Sequence, residues 1–379
     1  MGARATVPES GFEVVVIGAG VIGLAVAAAL SKAGRSVLIL ERESRIASGI
    51  TSRNSEVVHA GLYYPPGSLK AALCVAGRER LYSWCAEKRV NARRLGKLIV
   101  ATSPEEESTL DDLMARGFEN GVTGLELIDR QEILRLEPHV EARRALHSPE
   151  TGIVDGQGLC LSLLAAAESE GAILLLDRSV ESLDQRPFGW QLEVMHVGGG
   201  VERIDAGLVV DAAGLDADRI ARLAGLDVDR LGWRQYPCKG DYFSVASGVK
   251  FSLGRLIYPV PEPAGLGIHA TLDWTGRLRF GPDAEYVEEI DFEVDPTKAA
   301  GFSASIERYL PVMNEASLIP DYAGIRPRLA APGESFRDFV VEESSSHGAP
   351  GFVACIGIES PGLTAALAIA ERVAQWGSI

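Results

Sequence analysis

The sequence predicts an α/β protein: a discontinuous Rossmann-type domain and a second α+β domain built on a mostly antiparallel sheet. Three observations carry this expectation. A strand, a glycine loop, a helix and a second strand open the chain. Two later apolar strands, at 207–214 and 351–358, end in small residues and lead into helical runs. Between these pieces lie alternating apolar and polar stretches such as KLIVATS, GDYFSVA, LGIHATLDW and RLRFGP, the pattern of half-buried strands. The 379 residues exceed what one core usually holds, so about two domains are expected.

The opening unit is the most specific part. Residues 12–17 are rich in β-branched side chains and read as a buried strand. Gly18-Ala19-Gly20-Val21-Ile22-Gly23 follows, a G-x-G-x-x-G. Gly18 permits the tight turn, Gly20 lets backbone approach a pyrophosphate, and Gly23 lets the helix pack close to the strand. The helix start offers N–H groups and partial positive charge to phosphate. An alanine-rich helix runs on to Gly34, a good left-handed cap. The strand 36–40 then ends in Glu41, eighteen residues after Gly23. A carboxylate there accepts hydrogen bonds from ribose hydroxyls and repels a 2′-phosphate, which argues against NADP. NAD and FAD both carry ADP, so this unit alone leaves the two open.

Residues 14–30 are apolar and close to the start, as a leader or anchor would be. Three glycines interrupt them and Glu9 and Glu13 precede or flank them, so strand, turn and buried helix explain them better. The formal charge of −15 and the lack of a basic cluster exclude a general nucleic-acid binder. Five scattered cysteines with no C-x-x-C suit reduced core thiols in a cytoplasmic protein. No histidine or cysteine spacing suggests a metal site.

The two later strands return to the nucleotide unit. GLVVDAAG places Asp211, Ala212, Ala213 and Gly214 at a strand's carboxyl end, where small residues let backbone pass close to a cofactor. Another packed Rossmann strand is the plainer reading. Near the end, Pro361 and Gly362 mark a helix start whose dipole suits negative charge. A helix that merely covers the domain is the alternative. The expected division is 11–90, 151–225 and 326–379 for the cofactor domain, and 91–150 with 226–325 for the substrate domain.

RNSEVVHAGLYYPPGSLKAALCVAG (53–77), GKLIVAT (96–102), SPETGIVDGQGL (148–159), AAGLDADRIARLAG (212–225), KGDYFSV (239–245) and IYPVPEPAGLGIHATLDWTGRLRFGPDAEY (257–286) occur in this order. Together they make the chain resemble FAD-dependent oxidoreductases of the D-amino-acid oxidase type, most of all the L-2-hydroxyglutarate dehydrogenases and oxidases. The stretch between Gly281 and Arg326 is shorter than the family pattern, and IGIESPGLTAALAIAERV resembles the wider oxidase group. The resemblance implies FAD, a small hydroxy-acid substrate oxidised to the 2-oxo acid, and a quinone, another carrier or oxygen as electron acceptor. It implies a cytoplasmic enzyme without a transmembrane segment, with peripheral contact at the inner membrane as a variant. An amine or amino-acid oxidase of the same fold is the competing reading, and a flavin-binding protein without turnover the second.

The expected cofactor contacts are Gly18, Gly20, Val21, Ile22, Gly23, Glu41, Arg42, Thr51, Ser52, Arg53, Asn54, Ser55, His59, Val180, Ala212, Ala213, Gly214, Gly357, Glu359, Pro361, Gly362, Leu363 and Thr364. For the chemistry, a neutral imidazole suits removal of a hydroxyl proton at physiological pH. His59 is the first choice, with a loop-steadying or flavin-contacting histidine as the plainer alternative. His269 is the second candidate histidine. Arg326 is the expected carboxylate clamp, because a guanidinium fork donates two parallel hydrogen bonds. Tyr64, Tyr258 and Lys239 are the expected helpers. Gly61, Pro65 and Pro66 shape the loop, Ser68 caps the next helix, and Leu69, Leu73, Ala76, Leu81 and Trp84 mark its apolar face.

Overall fold

FEVVVI forms the strand Phe12–Ile17, and its last four residues are buried. In the computed structural model, which describes residues 11–246, 251–261 and 267–378, this strand lies inside a sheet of eight strands. It pairs in parallel with Val37–Leu40 on one side and with Val201–Asp211 on the other. Ile17 stands level with Leu40 and Asp211, so the three strands end together. Phe352–Ile356 adds to the end of Val201–Asp211, also in parallel. Ile173–Leu175 continues the parallel part beyond Val37–Leu40. The antiparallel strands Arg178–Arg186 and Gly189–His196 extend the other side. The helices Gly156–Ser169 and Gly362–Ala374 both pack on the glycine-loop helix Val21–Lys32. Ten of that helix's residues are buried, which is why its sequence is apolar all round.

The chain divides into two compact units. The first holds residues up to Ser52, then Gly156–Pro237 and Pro327–Ile379. The second holds Arg53–Asp155 and Cys238–Arg326. Each unit is assembled from separated stretches of chain. The stretch 53–90 clusters with the second unit rather than the first, as does 151–155, while 226–237 clusters with the first. The cause is packing: Val57, Ala60, Leu62 and Ile153 share a core with Leu98, Ile99, Tyr258 and Phe280.

Among the described residues the second unit is built on nine strands, in which Lys97–Ala101 lies between Leu256–Pro259, parallel to it, and Arg144–Ser148, antiparallel. Ala270–Leu272 and Leu278–Phe280 continue antiparallel, as LGIHATLDW and RLRFGP predict. A small sheet joins Val57–Val58, Gly152–Val154 and Ala92–Arg93. The helix Leu69–Lys88 begins at Ser68, whose Oγ accepts from the Ala71 N–H at 3.2 Å. Such a cap contributes about 1 kcal/mol. Its buried face runs through Lys70, Ala71, Leu73, Cys74, Gly77, Arg78, Leu81 and Cys85; Leu73 and Leu81 of the expected apolar face are buried, whereas Leu69, Ala76 and Trp84 are half-buried. The reason is polar. The Cys74 thiol contacts the His59 carbonyl at 3.4 Å, and Arg78 Nη1 donates to the Ala60 carbonyl at 3.2 Å. The helix is therefore pinned to the histidine loop by groups that a hydrophobicity pattern ignores.

Candidate active site

The glycine loop, Glu41 and the stretch after Asp211 lie where the parallel strands of the first unit end. Gly18 has φ +101°, and a Cβ there would lie 2.5 Å from the Ala212 carbonyl oxygen. A Cβ on Gly23 would lie 1.9 Å from the Gly18 oxygen, and one on Gly20 would crowd Thr51 Oγ1 at 3.1 Å. Gly18 and Gly23 are thus fixed by close backbone approach, and Gly20 is crowded by the Thr51 side chain. The helix start carries no side-chain cap at Gly20 and no acid in its first turn, as an anion-binding start requires. Thr51 Oγ1 accepts from the Val21 N–H at 3.1 Å and so holds 50–52 against the loop. Glu41 accepts from the Ala19 N–H at 2.7 Å and the Glu43 N–H at 3.0 Å. A carboxylate has about four acceptor positions, so two remain for ribose hydroxyls. A dinucleotide with a pyrophosphate fits this cradle.

The two returns meet at one residue that sequence reasoning missed. Gln235 is buried; its Nε2 donates to the Gly214 carbonyl at 3.0 Å and to the Leu215 carbonyl at 3.2 Å, while its Oε1 accepts from the Gly357 N–H at 3.1 Å. Ala212 N–H donates to Ile17, and Ala213 N–H donates to Asp211 Oδ1 at 3.1 Å. Burial pushes the Asp211 carboxyl well above the usual range. Gly357 has φ +70°, and Pro361 stands at the start of Gly362–Ala374 without a side-chain cap. Thr364 is buried, Leu363 is half-buried, and Glu359 faces Arg328 at 3.6 Å. Arg42 pairs with Asp216 at 2.6 Å. Ser52 Oγ donates to Gly49 and Ser48 carbonyls. Val180 is buried, its carbonyl accepting from Arg219 at 3.3 Å.

The second unit holds the side chains expected to carry the chemistry. Arg53 lies over the Phe292 ring at 4.3 Å, and Asn54 turns its loop by accepting from the Glu56 N–H at 2.7 Å. Ser55 hydrogen-bonds to the Tyr242 phenol. His59 is held neutral: burial first, and the charge of Lys97 second, lower its pKa to about 3. Tyr258 stacks on His269 with ring centroids 3.5 Å apart and planes within 7°. Tyr64 lies farther along the loop, its carbonyl accepting from Asn120 at 2.9 Å. Arg326 donates Nη2 to the Asp283 carbonyl at 3.0 Å and directs Nη1 to Cys238 Sγ at 3.8 Å. The Lys239 ammonium is matched by Asp291 at 2.9 Å and the Glu293 carbonyl. The neighbouring Lys298 gathers Asp241, Asp283 and Glu285, each at 2.8 Å, and these acids hold it charged. Among the described residues no cluster of His, Cys, Asp or Glu could hold a metal ion.

One residue in this region has no counterpart among the expected site residues. Lys97 opens the buried strand KLIVA and is wholly inaccessible. Its Nζ lies 4.5 Å from the ring centroids of both Tyr63 and Tyr258. A single charge inside an apolar strand was the available sign. Its neighbours, however, come from distant stretches of chain.

The family model for FAD-dependent oxidoreductases named DAO matches residues 13–376. The chain belongs to this family. FAD is accordingly its cofactor, and it is an oxidoreductase of the D-amino-acid oxidase fold. Among relatives of this DAO member, the mitochondrial L-2-hydroxyglutarate dehydrogenase of Arabidopsis thaliana is 41% identical, over 99% of this chain and 85% of that protein. A glycerol 3-phosphate dehydrogenase of Caloramator mitchellensis is 30% identical, over 96% and 73%. Among solved structures, the L-alpha-glycerophosphate oxidase of Mycoplasma pneumoniae with FAD bound superposes with a TM-score of 0.86 at 25% identity, covering 97% of this chain and 95% of that one.

Proposed function

We propose that this enzyme oxidises an L-2-hydroxy acid, specifically L-2-hydroxyglutarate, to the 2-oxo acid. The observation that carries the reading is the 41% identity to an L-2-hydroxyglutarate dehydrogenase over nearly the whole chain. The named substrates of the dehydrogenase relatives support it further, because both are alcohols carrying an anionic group. Bound FAD supplies the acceptor for the hydride that leaves C2. Gly18, Gly20, Gly23, Thr51 and Glu41 hold its dinucleotide, and the uncapped start of Gly362–Ala374 offers a partial positive charge.

His59 receives the hydrogen bond of the substrate hydroxyl. Its neutral imidazole has a lone pair to accept with, which an imidazolium lacks. Arg326 clamps a carboxylate: two of its five donors are engaged by Asp283 and Cys238, which fix the guanidinium plane. Lys239, matched by Asp291, acts on the substrate only by supporting that region. Tyr258 and His269, stacked together, form an aromatic wall, and Tyr64 belongs to the loop that carries His59.

No helix among the described residues is long and apolar enough to cross a membrane. Delivery of electrons to a quinone would use peripheral contact. Anaerobic mixing of the FAD-loaded enzyme with L-2-hydroxyglutarate, its D-isomer, glycerol 3-phosphate, L-glutamate and glycine tests the reading. Rapid loss of flavin absorbance is expected with L-2-hydroxyglutarate. Bleaching by the amino acids alone, or by glycerol 3-phosphate alone, would overturn it.

A further inference from the structure

A guanidinium recognises a carboxylate through a planar fork, so its value as a clamp depends on where that plane faces. Two contacts set the plane of Arg326. Its Nη2 donates to the Asp283 carbonyl at 3.0 Å, and Nη1 points to Cys238 Sγ at 3.8 Å. A thiol sulfur is a weak acceptor, so the Asp283 carbonyl is the firm reference. Gly240 lies against both partners: a Cβ there would stand 3.0 Å from Nη2 and 2.9 Å from that carbonyl oxygen. The aim of the fork therefore depends on what holds Asp283.

Asp283 lies between the strand Leu278–Phe280 and the short strand Glu285–Tyr286, outside any regular element. Its side chain is held at both oxygens. Oδ1 accepts from the Asp241 N–H at 2.7 Å, and Oδ2 lies 2.8 Å from Lys298 Nζ. The same Nζ lies 2.8 Å from Asp241 Oδ2. Asp241 belongs to the strand Tyr236–Val245 and is wholly inaccessible, so its carboxylate needs a cation close by. Lys239 is farther off, 4.0 Å from Oδ1, and is matched by Asp291. Lys298 is thus tied to the core by Asp241, and Asp283 is tied to Lys298. The third acid, Glu285, is more than half exposed and adds little. Neutralising Asp241 alone would not require the ammonium to reach Asp283 as well. The turn Pro296–Lys298 delivers it to both, capped by Asp295, which accepts from the Thr297 N–H at 2.9 Å.

We propose that Lys298 is a positioning residue for the carboxylate clamp: by bridging Asp241 and Asp283 it sets the direction in which Arg326 meets the substrate. Lys298 touches neither substrate nor cofactor in this role and acts through the Asp283 carbonyl. The inference rests on the hydroxy-acid reading and on Arg326 as the clamp.

The test is a double-mutant cycle on FAD-loaded enzyme. Its readouts are the Kd of 2-oxoglutarate, from the shift it causes in flavin absorbance, and KM and kcat for L-2-hydroxyglutarate. Lys298→Met is made together with Asp241→Asn, so that no buried carboxylate is left unmatched and the net charge of the cluster is unchanged. This pair should raise Kd and KM about tenfold or more, with FAD retained and kcat within about threefold of wild type. Asp241→Asn alone and Lys298→Arg should both stay within about threefold, the first because Lys298 still holds Asp283, the second because the bridge is kept. Arg326→Lys keeps charge but lacks the fork, and should weaken binding by itself. Added to Arg326→Lys, the pair should cost less than about threefold more, because a residue that acts through the fork has nothing left to aim. A full tenfold loss in that background, an unchanged Kd in the pair, or an equal loss in Asp241→Asn alone overturns the role of Lys298 and leaves the hydroxy-acid reading standing. Arg326→Lys binding 2-oxoglutarate as tightly as wild type removes the clamp and this inference together. Failure of every hydroxy acid to reduce the flavin overturns the functional reading, and this inference with it.

Discussion

The first unit works through backbone and the second through buried side chains. At the glycine cradle what matters is the absence of Cβ atoms at 18, 20 and 23, and the carboxylate beside it, Glu41, is tied to main-chain N–H groups. Around His59 what matters is which ionisable groups lie in an apolar core, and in which protonation state. Backbone recognition leaves a local pattern, because glycine spacing within one turn determines it. Side-chain electrostatics leaves none, because burial is decided by residues far away in the chain.

The sharpest way to break this contrast is at Gly18. Gly18→Val adds a side chain at φ +101° and drives it into the Ala212 carbonyl. Protein recovered from gel filtration should be colourless, and a variant that kept its FAD would refute the need for close backbone approach. On the side-chain half, His59→Gln should retain FAD and slow anaerobic flavin reduction about 10²–10⁴-fold at saturating substrate. An unchanged rate would remove His59 from the reaction.

The next effect is on stability. The Lys97 amine is lowered from 10.5 to about 7, so the unfolded chain binds the extra proton between those values. Stability therefore rises with pH across this window, and the full penalty, about 5 kcal/mol at most, applies below it. Lys97→Met should be more stable than wild type to urea at pH 6, with the difference shrinking toward pH 10. A difference independent of pH would mean that Lys97 carries its proton throughout. The smallest effect belongs to Glu41→Gln. An amide keeps the acceptor for the Ala19 N–H but loses charge, so FAD should bind about tenfold more weakly by titration, a change of about 1.4 kcal/mol.

Much of the cofactor unit was legible in the sequence. Phe12–Ile17, the helix from Val21, the strand ending at Asp211 and the pair Phe352–Ile356 and Gly362–Ala374 all follow from period, glycines and caps. The break after Ser52 was not, because VVHAGL reads as apolar whichever core it joins. Of the side-chain set, His59, Tyr258 and His269 could be suspected as polar groups in apolar or loop contexts. Lys97 carries no sign of its burial in the local pattern KLIVA. Its importance depends on Tyr63 and Tyr258 closing over it, which no local pattern encodes.

The side chain of Gln235 also constrains the future of this sequence. It donates two hydrogen bonds and accepts one, all with main-chain groups, from a buried position. Glutamate would lack the donors, lysine the acceptor, and asparagine the reach. Drift at position 235 is thus closed to nearly every alternative, although the residue carries no charge and performs no chemistry.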